Sequence, residues 1–559
     1  VAGGSTALPT SAPTSFPRRG ANSPASSGRC RPGRRAGLKA PGATSESVRQ
    51  VRPGTPTKLT TATLEGMRRA ANPLVVWVGV IAAAQAVLLI ATSTRYGYHR
   101  DEMYFIVSGS HPAFGYPDQP PLVPLICWAM NHLAPGSLLV LRLPSAVVAA
   151  ATTLIAGLIA REVGGSSRAQ VIAALCTASS GFALATGHFV TTTTFDLLST
   201  SALCWLLVRA LIRGSGRSLL AAGVVAGLGC EAKPQVAFVA IVAVAVLAVI
   251  GPRWPFRSPW LAAGIVAAAL IAGPYVIWQA MHGWPQLTVA GNIGGSAEGG
   301  RAGFIPFQLV MVSPVLVPVW IAGLCAPFRR PGLRDVRFLP VLYVVLAVAY
   351  IVGNGKAYYL ASLYPALLGV GALPAADWTL RHRARVRTLL LSVGVALSIV
   401  VSAVIALPLL PTTSLQGSAV MAINPDQGET VGWPTFIDTV SQAWHSLPAA
   451  QRADTVIFTK NYGEAGAVDL LGASHGLPRA YSGHNGFSEW GQPAASATSA
   501  LVLGYDAPAD AAPFFVGCTT LAHIDNGVGL DNNEQGLPLM LCNPSEAWAT
   551  LWPHLRHYD

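Results

Sequence analysis

Tyr96-Gly-Tyr-His-Arg-Asp-Glu-Met-Tyr104 is the stretch on which the reading of this chain turns. It follows an apolar run of membrane length, residues 74–92, and it places two carboxylates, Asp101 and Glu102, just beyond it. Charged residues make up only 11% of the chain, where a soluble domain carries about 25%. A carboxylate pair at a bilayer edge costs desolvation energy and reads as functional. The plainer alternative is that both acids favour the N-terminus of a following helix.

Working outward, the 559 residues are 52% hydrophobic, with a mean hydropathy of +0.46. A membrane-crossing helix needs about 20 apolar residues. Eleven segments qualify, some of them short: 74–92, 143–160, 169–187, 195–212, 218–232, 234–251, 259–280, 304–326, 338–353, 357–375 and 388–410. The reading is a polytopic α-helical membrane protein. No small-residue cleavage site follows the first span, so that span is read as retained.

Arginines sort the loops. Arg68/Arg69, Arg161/Arg168, Arg209/Arg213/Arg217, Arg253/Arg257, Arg329/Arg330/Arg334/Arg337 and Arg381/Arg383/Arg385/Arg387 fall in alternate connections. The positive-inside rule makes those cytoplasmic. The N-terminus is then inside, while the Asp101 loop and residues 411–559 are outside. Charge asymmetry agrees: residues 1–70 hold 12 Lys/Arg against Glu46 and Glu65, and residues 411–559 hold 4 against 14 Asp/Glu. With no basic–aromatic stripe, the net charge of +12 does not read as nucleic-acid binding.

Residues 1–66, rich in Pro, Gly, Ser, Thr and Arg, read as a disordered basic tail, with lying on anionic lipid as its functional alternative; Met67, before Arg68 and Arg69, is a candidate start. Residues 67–410 form the membrane domain. Its first outer loop, 93–142, carries two short interfacial helices, around Met103–Ile106 and at Leu122–Leu133, separated by Pro117, Pro120 and Pro121. From 411 the composition shifts to Gly, Pro, Asn and Asp. Thr455–Thr459 and Ala500–Gly504 read as strands and Tyr462–Leu471 as a helix, an extracytoplasmic α/β domain. Cys518 and Cys542, the only cysteines there, are expected to pair outside the membrane. The other six have no metal-ligand spacing and read as small hydrophobes.

Polar elements recur on the outer side: His99–Glu102, Tyr116-Pro-Asp-Gln-Pro-Pro-Leu122, Thr191-Thr-Thr-Thr-Phe-Asp196, Gly353-Asn-Gly-Lys-Ala-Tyr-Tyr359, and Lys233. Carboxylates and lysines gathered at one face suit an anionic, polar substrate at the lipid edge. Their order resembles glycosyltransferase family 39, which includes protein O-mannosyltransferases and lipid A aminoarabinose transferases of the GT-C fold. The resemblance covers about residues 74–410. It is nearest to a bacterial branch with Arg-Asp-Glu-x-Tyr-(Phe/Tyr) and Gly-Tyr-x-Asp-Gln-Pro-Pro-Leu, and Asn461–Ala467 and Tyr481–Asn485 resemble the same branch. Gln119 departs from the lysine that aminoarabinose transferases carry there, which weakens the expectation of a phosphate contact at that position.

The resemblance implies sugar transfer from a polyprenyl-phosphate donor to an extracytoplasmic lipid, glycan or protein acceptor. Such a displacement needs a base for the acceptor hydroxyl and cations at the departing phosphate. Asp101 is the expected base, with Glu102 and Asp196 as further catalytic candidates. Lys356 is the expected phosphate clamp, assisted by Lys233 or Arg100. A single displacement inverts the anomeric centre. His99, Asp118, Gln119, Tyr359, Tyr462, Glu464 and His484 are candidate substrate contacts. Each has a plainer reading: capping for the acids, snorkelling for the lysines, interfacial anchoring for the tyrosines. No cofactor is implied with certainty, a divalent metal is compatible, and no metal ligands are assigned. Membrane lipids are the surrounding partners. The alternative function is a transporter or flippase of a lipid-linked or polar substrate; it calls for polar groups near the bilayer midplane and for repeat symmetry. A non-catalytic receptor leaves the carboxylate loop unexplained.

Overall fold

The computed structural model describes residues 73–296 and 300–559, which belong to the unit Arg69–Asp559; the tail 1–66 and Met67 lie outside them. In lipid every backbone polar group must be satisfied within its own segment, so apolar runs of this length fold as helices. The first, α1 (Pro73–Thr92), leads into the short helices α2 (Arg100–Ser110) and α3 (Leu122–Leu133). They pack closely: a Cβ added at Gly109 would lie 2.4 Å from the Pro124 carbonyl oxygen.

The bundle continues with α4 (Leu138–Glu162), α5 (Ser167–Ala178), α6 (Gly181–His188), α7 (Thr192–Arg213), α8 (Gly216–Cys230), α9 (Gln235–Ile250) and α10 (Pro259–Met281). After α11 (Pro285–Ser296) come α12 (Gly300–Val312), α13 (Val317–Arg329), α14 (Phe338–Val352), α15 (Tyr364–Leu380) and α16 (Ala384–Ala406). Each of the eleven apolar segments coincides with one of these helices or with a bent pair. Six helices among the described residues are long and apolar enough to cross a membrane, and eight if each bent pair is one span. The other three segments fold as shorter apolar helices. The expectation of eleven full crossings is therefore not met by helix length.

The two bends escape a hydropathy reading. Between α5 and α6 the axis turns by 58°, where the Ser180 hydroxyl caps the new helix by accepting from Ala183 N–H. Between α12 and α13 it turns by 83°, with Ser313 at φ +84° ahead of Pro314. Elsewhere small residues bring backbones together, since lipid gives no hydrophobic drive for helix association. A Cβ at Gly223 of α8 would meet the Gly264 carbonyl oxygen of α10 at 2.1 Å, and one at Gly323 of α13 the Leu367 oxygen of α15 at 2.0 Å.

The first long helix of the C-terminal part is α17 (Trp433–Ser446). Strands β1 (Thr455–Thr459), β2 (Ala480–Tyr481), β3 (Ser499–Leu503), β4 (Phe515–His523) and β5 (Pro538–Pro544) form one sheet in the order β2-β1-β3-β5-β4. β1 pairs in parallel with β2 and β3, and β5 pairs antiparallel with β3 and β4. Helix α18 (Tyr462–Leu471) crosses from β1 to β2, and α19 (Trp548–Leu555) closes the chain. A disulfide joins Cys518 on β4 to Cys542 on β5, Cα to Cα 4.1 Å.

The sheet module is not tethered loosely. Met103, Tyr104 and Phe105 of α2 share one buried apolar cluster with Phe436 and Ile437 of α17, Ala465 of α18 and Leu501 of β3. Gly466 of α18 lies against the Tyr104 backbone: a Cβ there would approach the Tyr104 nitrogen to 3.1 Å. This contact sets the site.

Candidate functional site

The two acids of the opening motif have different fates, decided by one turn of helix. His99 is the N-cap of α2, and Glu102 completes a capping box with it. The Glu102 carboxylate is fully buried and accepts four bonds. Oε1 takes Arg142 Nε at 2.9 Å and the Val190 N–H at 3.0 Å; Oε2 takes Arg142 Nη2 at 2.7 Å and the His99 N–H at 2.9 Å. Arg142 also donates to the Ser93 and Gly97 carbonyls at 2.6 and 2.8 Å. With every lone pair committed, Glu102 is a structural ion pair and not the catalytic carboxylate expected. His99, likewise buried, stacks on Phe189 with ring centroids 4.6 Å apart. It is a cap and a packing surface rather than a substrate contact.

Asp101 points the other way. Its side chain is 29% exposed, and Oδ1 accepts the Tyr462 hydroxyl at 2.7 Å. Tyr462 opens α18, packs against Tyr104 with centroids 4.7 Å apart, and lies under the Arg100 guanidinium at 5.9 Å. Tyr104 in turn donates to Asp118 Oδ1 at 2.7 Å and accepts the Gly486 N–H at 2.9 Å. Burial pushes Asp118 up to about 7 even though the Tyr104 hydroxyl opposes the rise. Gln119 beside it is buried, with neither amide atom partnered among the described residues.

Arg100 leaves the phosphate group to which it was assigned. Its Nε lies 3.3 Å from Glu429 Oε2, and Glu429 also accepts from Asn533 at 2.6 Å. Arg100 thus faces a buried carboxylate on the sheet side rather than standing as a lone cation beside the lysines.

A second group of polar residues lies between α7 and the loops that precede α9 and α15. Lys233, in the loop between α8 and α9, donates to Thr193 Oγ1 at 2.8 Å and sits over the rings of Tyr358 and Tyr359 at 5.2 and 5.1 Å. Burial brings its ammonium down to about 8; the buried Asp196 opposes the fall and Lys356 adds to it. Asp196 accepts the Thr200 hydroxyl at 2.8 Å. The Tyr359 carbonyl accepts from Gln235 at 2.6 Å. The two groups adjoin: Ala232, next to Lys233, is packed in the cluster of Tyr104 and Phe195, and the Leu122 N–H bonds the Glu231 carbonyl at 3.0 Å.

Glu464 and His484 stand on the sheet side. Glu464 is buried in the first turn of α18 and accepts the Asn461 N–H at 3.3 Å; burial takes it up to about 7. His484 Nδ1 accepts the Tyr462 N–H at 3.3 Å, and its Nε2 pairs with Asp559. His484, His557 and Asp559 hold ligand atoms within 4.8 Å of one another, close enough for a cation by distance alone. The tautomer speaks against it. With Nδ1 accepting, the neutral ring carries its proton on Nε2, the nitrogen a metal would need.

Sequence reasoning missed Arg142, Glu429, Glu534 and the role of Tyr104. Arg142 left a readable signal, a lone arginine between Leu141 and Leu143 at the edge of a span. Glu429 and Glu534 left none, being ordinary acids in an acidic module.

A family model described as dolichyl-phosphate-mannose-protein mannosyltransferase matches residues 118–278. No curated protein matches the chain. Among solved structures, ArnT from Cupriavidus metallidurans bound to undecaprenyl phosphate is similar at 14% identity and TM-score 0.53, with 84% of this chain and 98% of that one covered. Its apo state gives 15% and 0.54 over the same shares. The arabinofuranosyltransferase AftD from Mycobacteria is similar at 14% identity and TM-score 0.51, over 84% of this chain and 40% of that one. Helices, sheet module and likeness define a polytopic membrane protein of the GT-C fold, the fold of these membrane glycosyltransferases. Within that fold, the stretch 118–278 is similar to the dolichyl-phosphate-mannose-protein mannosyltransferase family.

Proposed function

We propose that this chain is a membrane glycosyltransferase that moves a sugar from a polyprenyl-phosphate donor to an extracytoplasmic acceptor with inversion. The observation that carries the reading is the division of the acid pair. Glu102 is consumed by Arg142, while Asp101 stays partly exposed, with Oδ1 fixed by Tyr462 and Oδ2 no nearer than 3.9 Å to its ionic neighbour His99 Nδ1. A carboxylate held in place but not used up is what a general base requires.

In this reading the donor phosphate sits on Lys233 and Lys356, which act as point charges. The acceptor hydroxyl attacks the anomeric carbon, and its proton passes to Asp101 Oδ2. The bond from that carbon to the phosphate oxygen breaks, and its electron pair leaves with the phosphate. The lysines stabilise the growing charge in a partly dry site. Asp196 holds Lys233 in its charged form. Support for the donor comes from the fold relative that binds undecaprenyl phosphate. The N-terminus is cytoplasmic, and residues 411–559 form the outer domain.

The test is transfer from a labelled polyprenyl-phosphate sugar in membranes with and without the protein. Asp101→Asn is expected to reduce transfer at least ~100-fold with insertion unchanged. Near-normal turnover removes Asp101 from the mechanism; if Asp118→Asn carries the loss instead, the base is the carboxylate beside Tyr104.

A further inference from the structure

The sheet module contains a crevice that the catalytic reading leaves unused. β1 sends its crossover helix α18 to β2 on one side, while β3 pairs on the other. The carboxyl ends of β1 and β3 therefore flank a topological switch point, where open α/β sheets bind ligands. A cavity of about 290 Å³ lies there, lined by Lys460, Glu464, His484, Asp506, Glu534 and Asp559 among others. Gly504, which follows β3 at φ +86°, keeps it open: a Cβ there would stand 2.5 Å from Glu464 Oε2.

Its chemistry is narrow. Four of the lining residues are carboxylates and one is a lysine; burial raises Glu464 and Glu534 to about 7, so anions are repelled most strongly above that pH. Leu537 is the one bulky aliphatic side chain on the wall, so an apolar ligand gains little. Glu534 is 7% exposed and lines the cavity; among the described residues its carboxylate takes a hydrogen bond only from its own backbone, with the charges of Arg100 and Glu464 acting on it. A buried carboxylate held that way seeks donors from outside. Hydroxyl groups supply them, and O–H···carboxylate bonds are among the stronger ones. The volume lies at the lower edge of small-molecule pockets, roughly 300–1,000 Å³, which suits one or two sugar rings.

We infer that this crevice is an acceptor subsite that holds an uncharged saccharide unit next to the one whose hydroxyl reacts. The inference rests on the glycosyltransfer reading and names its acceptor as a neutral glycan. Tyr462 links the two places: its N–H bonds His484 on the crevice wall while its hydroxyl bonds Asp101. A glycan anchored in the crevice reaches the base across the span of one tyrosine.

The experiment is saturation-transfer NMR on the purified full-length chain in detergent, with mannobiose and lactose as neutral probes and digalacturonate as the anionic one. A neutral disaccharide is expected to bind, with digalacturonate ~10-fold weaker or worse. Asp506→Asn, at an exposed position that cannot unfold the module, and Glu534→Gln should each weaken binding ~10-fold. Asp101→Asn should bind as wild type. Absence of binding by either neutral sugar, equal binding by both variants, equal affinity for digalacturonate, or a response to Zn²⁺ or Mg²⁺ alone each overturns the subsite. Binding as expected from a chain that transfers no sugar refutes the transferase reading and leaves the crevice as a lectin-like site.

Discussion

The Tyr462 hydroxyl donates to Asp101 Oδ1 at 2.7 Å across 361 positions of sequence, so the sheet module holds the membrane-edge carboxylate in place. A hydrogen bond to a charged group is worth about 1.5–3 kcal/mol. Tyr462→Phe keeps the ring on Tyr104 and removes that bond. The expected result is a fall in kcat of about 10- to 100-fold with the donor KM unchanged, read by initial rates. An unchanged kcat would mean that Asp101 needs no positioning.

Glu102 and Arg142 form a buried pair, and breaking one by removing a single partner costs about 3–5 kcal/mol. Glu102→Leu should therefore lower the melting temperature in detergent sharply. The double variant Glu102→Leu/Arg142→Leu should recover much of the loss, because no buried charge is left alone. A single variant that melts normally yet is inactive would return Glu102 to the catalytic group.

Lys233 has its ammonium brought down to about 8 by burial. It is charged below that pH and neutral above it, while a phosphate needs it charged. The donor dissociation constant is expected to be flat below pH 7 and to rise through pH 8 to 9. Lys233→Arg, charged throughout, should flatten the profile. Titration of a labelled donor analogue measures both.

Glu464 is raised to about 7 and Asp469 to about 6, in each case by burial. Their unfolded values are near 4, so between about pH 4 and pH 7 the folded state binds more protons than the unfolded one. The stability these groups contribute is complete below the unfolded values and lost as pH rises through the folded ones. The sheet module should melt higher at pH 5 than at pH 7.5, and Glu464→Gln should shrink the difference. An increase in melting temperature with pH would reverse the assignment.

The proposed sidedness puts Cys518 and Cys542 in an oxidising space. Closing 24 positions of chain is worth roughly 3 kcal/mol in the loop-entropy description. Non-reduced peptide mapping should find the bond. A cysteine placed at the exposed position of Asp506 should react with an impermeant reagent on intact cells. Reaction only after lysis would invert the topology.

Hydropathy and arginine spacing carried the placement of the helices, because lipid leaves the backbone few alternatives. Tyr462–Leu471 was legible to the residue, with Asn461 and Glu464 writing a capping box. The bends at Ser180 and Ser313 were not: an apolar run reads the same whether straight or broken. β4 escaped because its side chains are largely exposed and carry no alternating pattern. At the candidate site, the sequence named both acids but could not divide them. Glu102 and Asp101 are neighbours in the chain, and only their rotation about α2 sends one into the core and the other toward Tyr462. Arg100 was misassigned because its partner, Glu429, lies 329 positions away.

The cluster that joins α2 to α17, α18 and β3 also fixes an order of events in the cell. The ribosome delivers the acid pair within the first fifth of the chain and the tyrosine that holds Asp101 in the last fifth. Until the segment that carries Tyr462 has emerged and folded, the early half of the site has no partner to set its geometry. A truncated or stalled product would insert its helices and still lack a finished centre. Assembly of the candidate site thus waits on the sheet module, and a chain that stops short of Tyr462 leaves Asp101 without the group that fixes it.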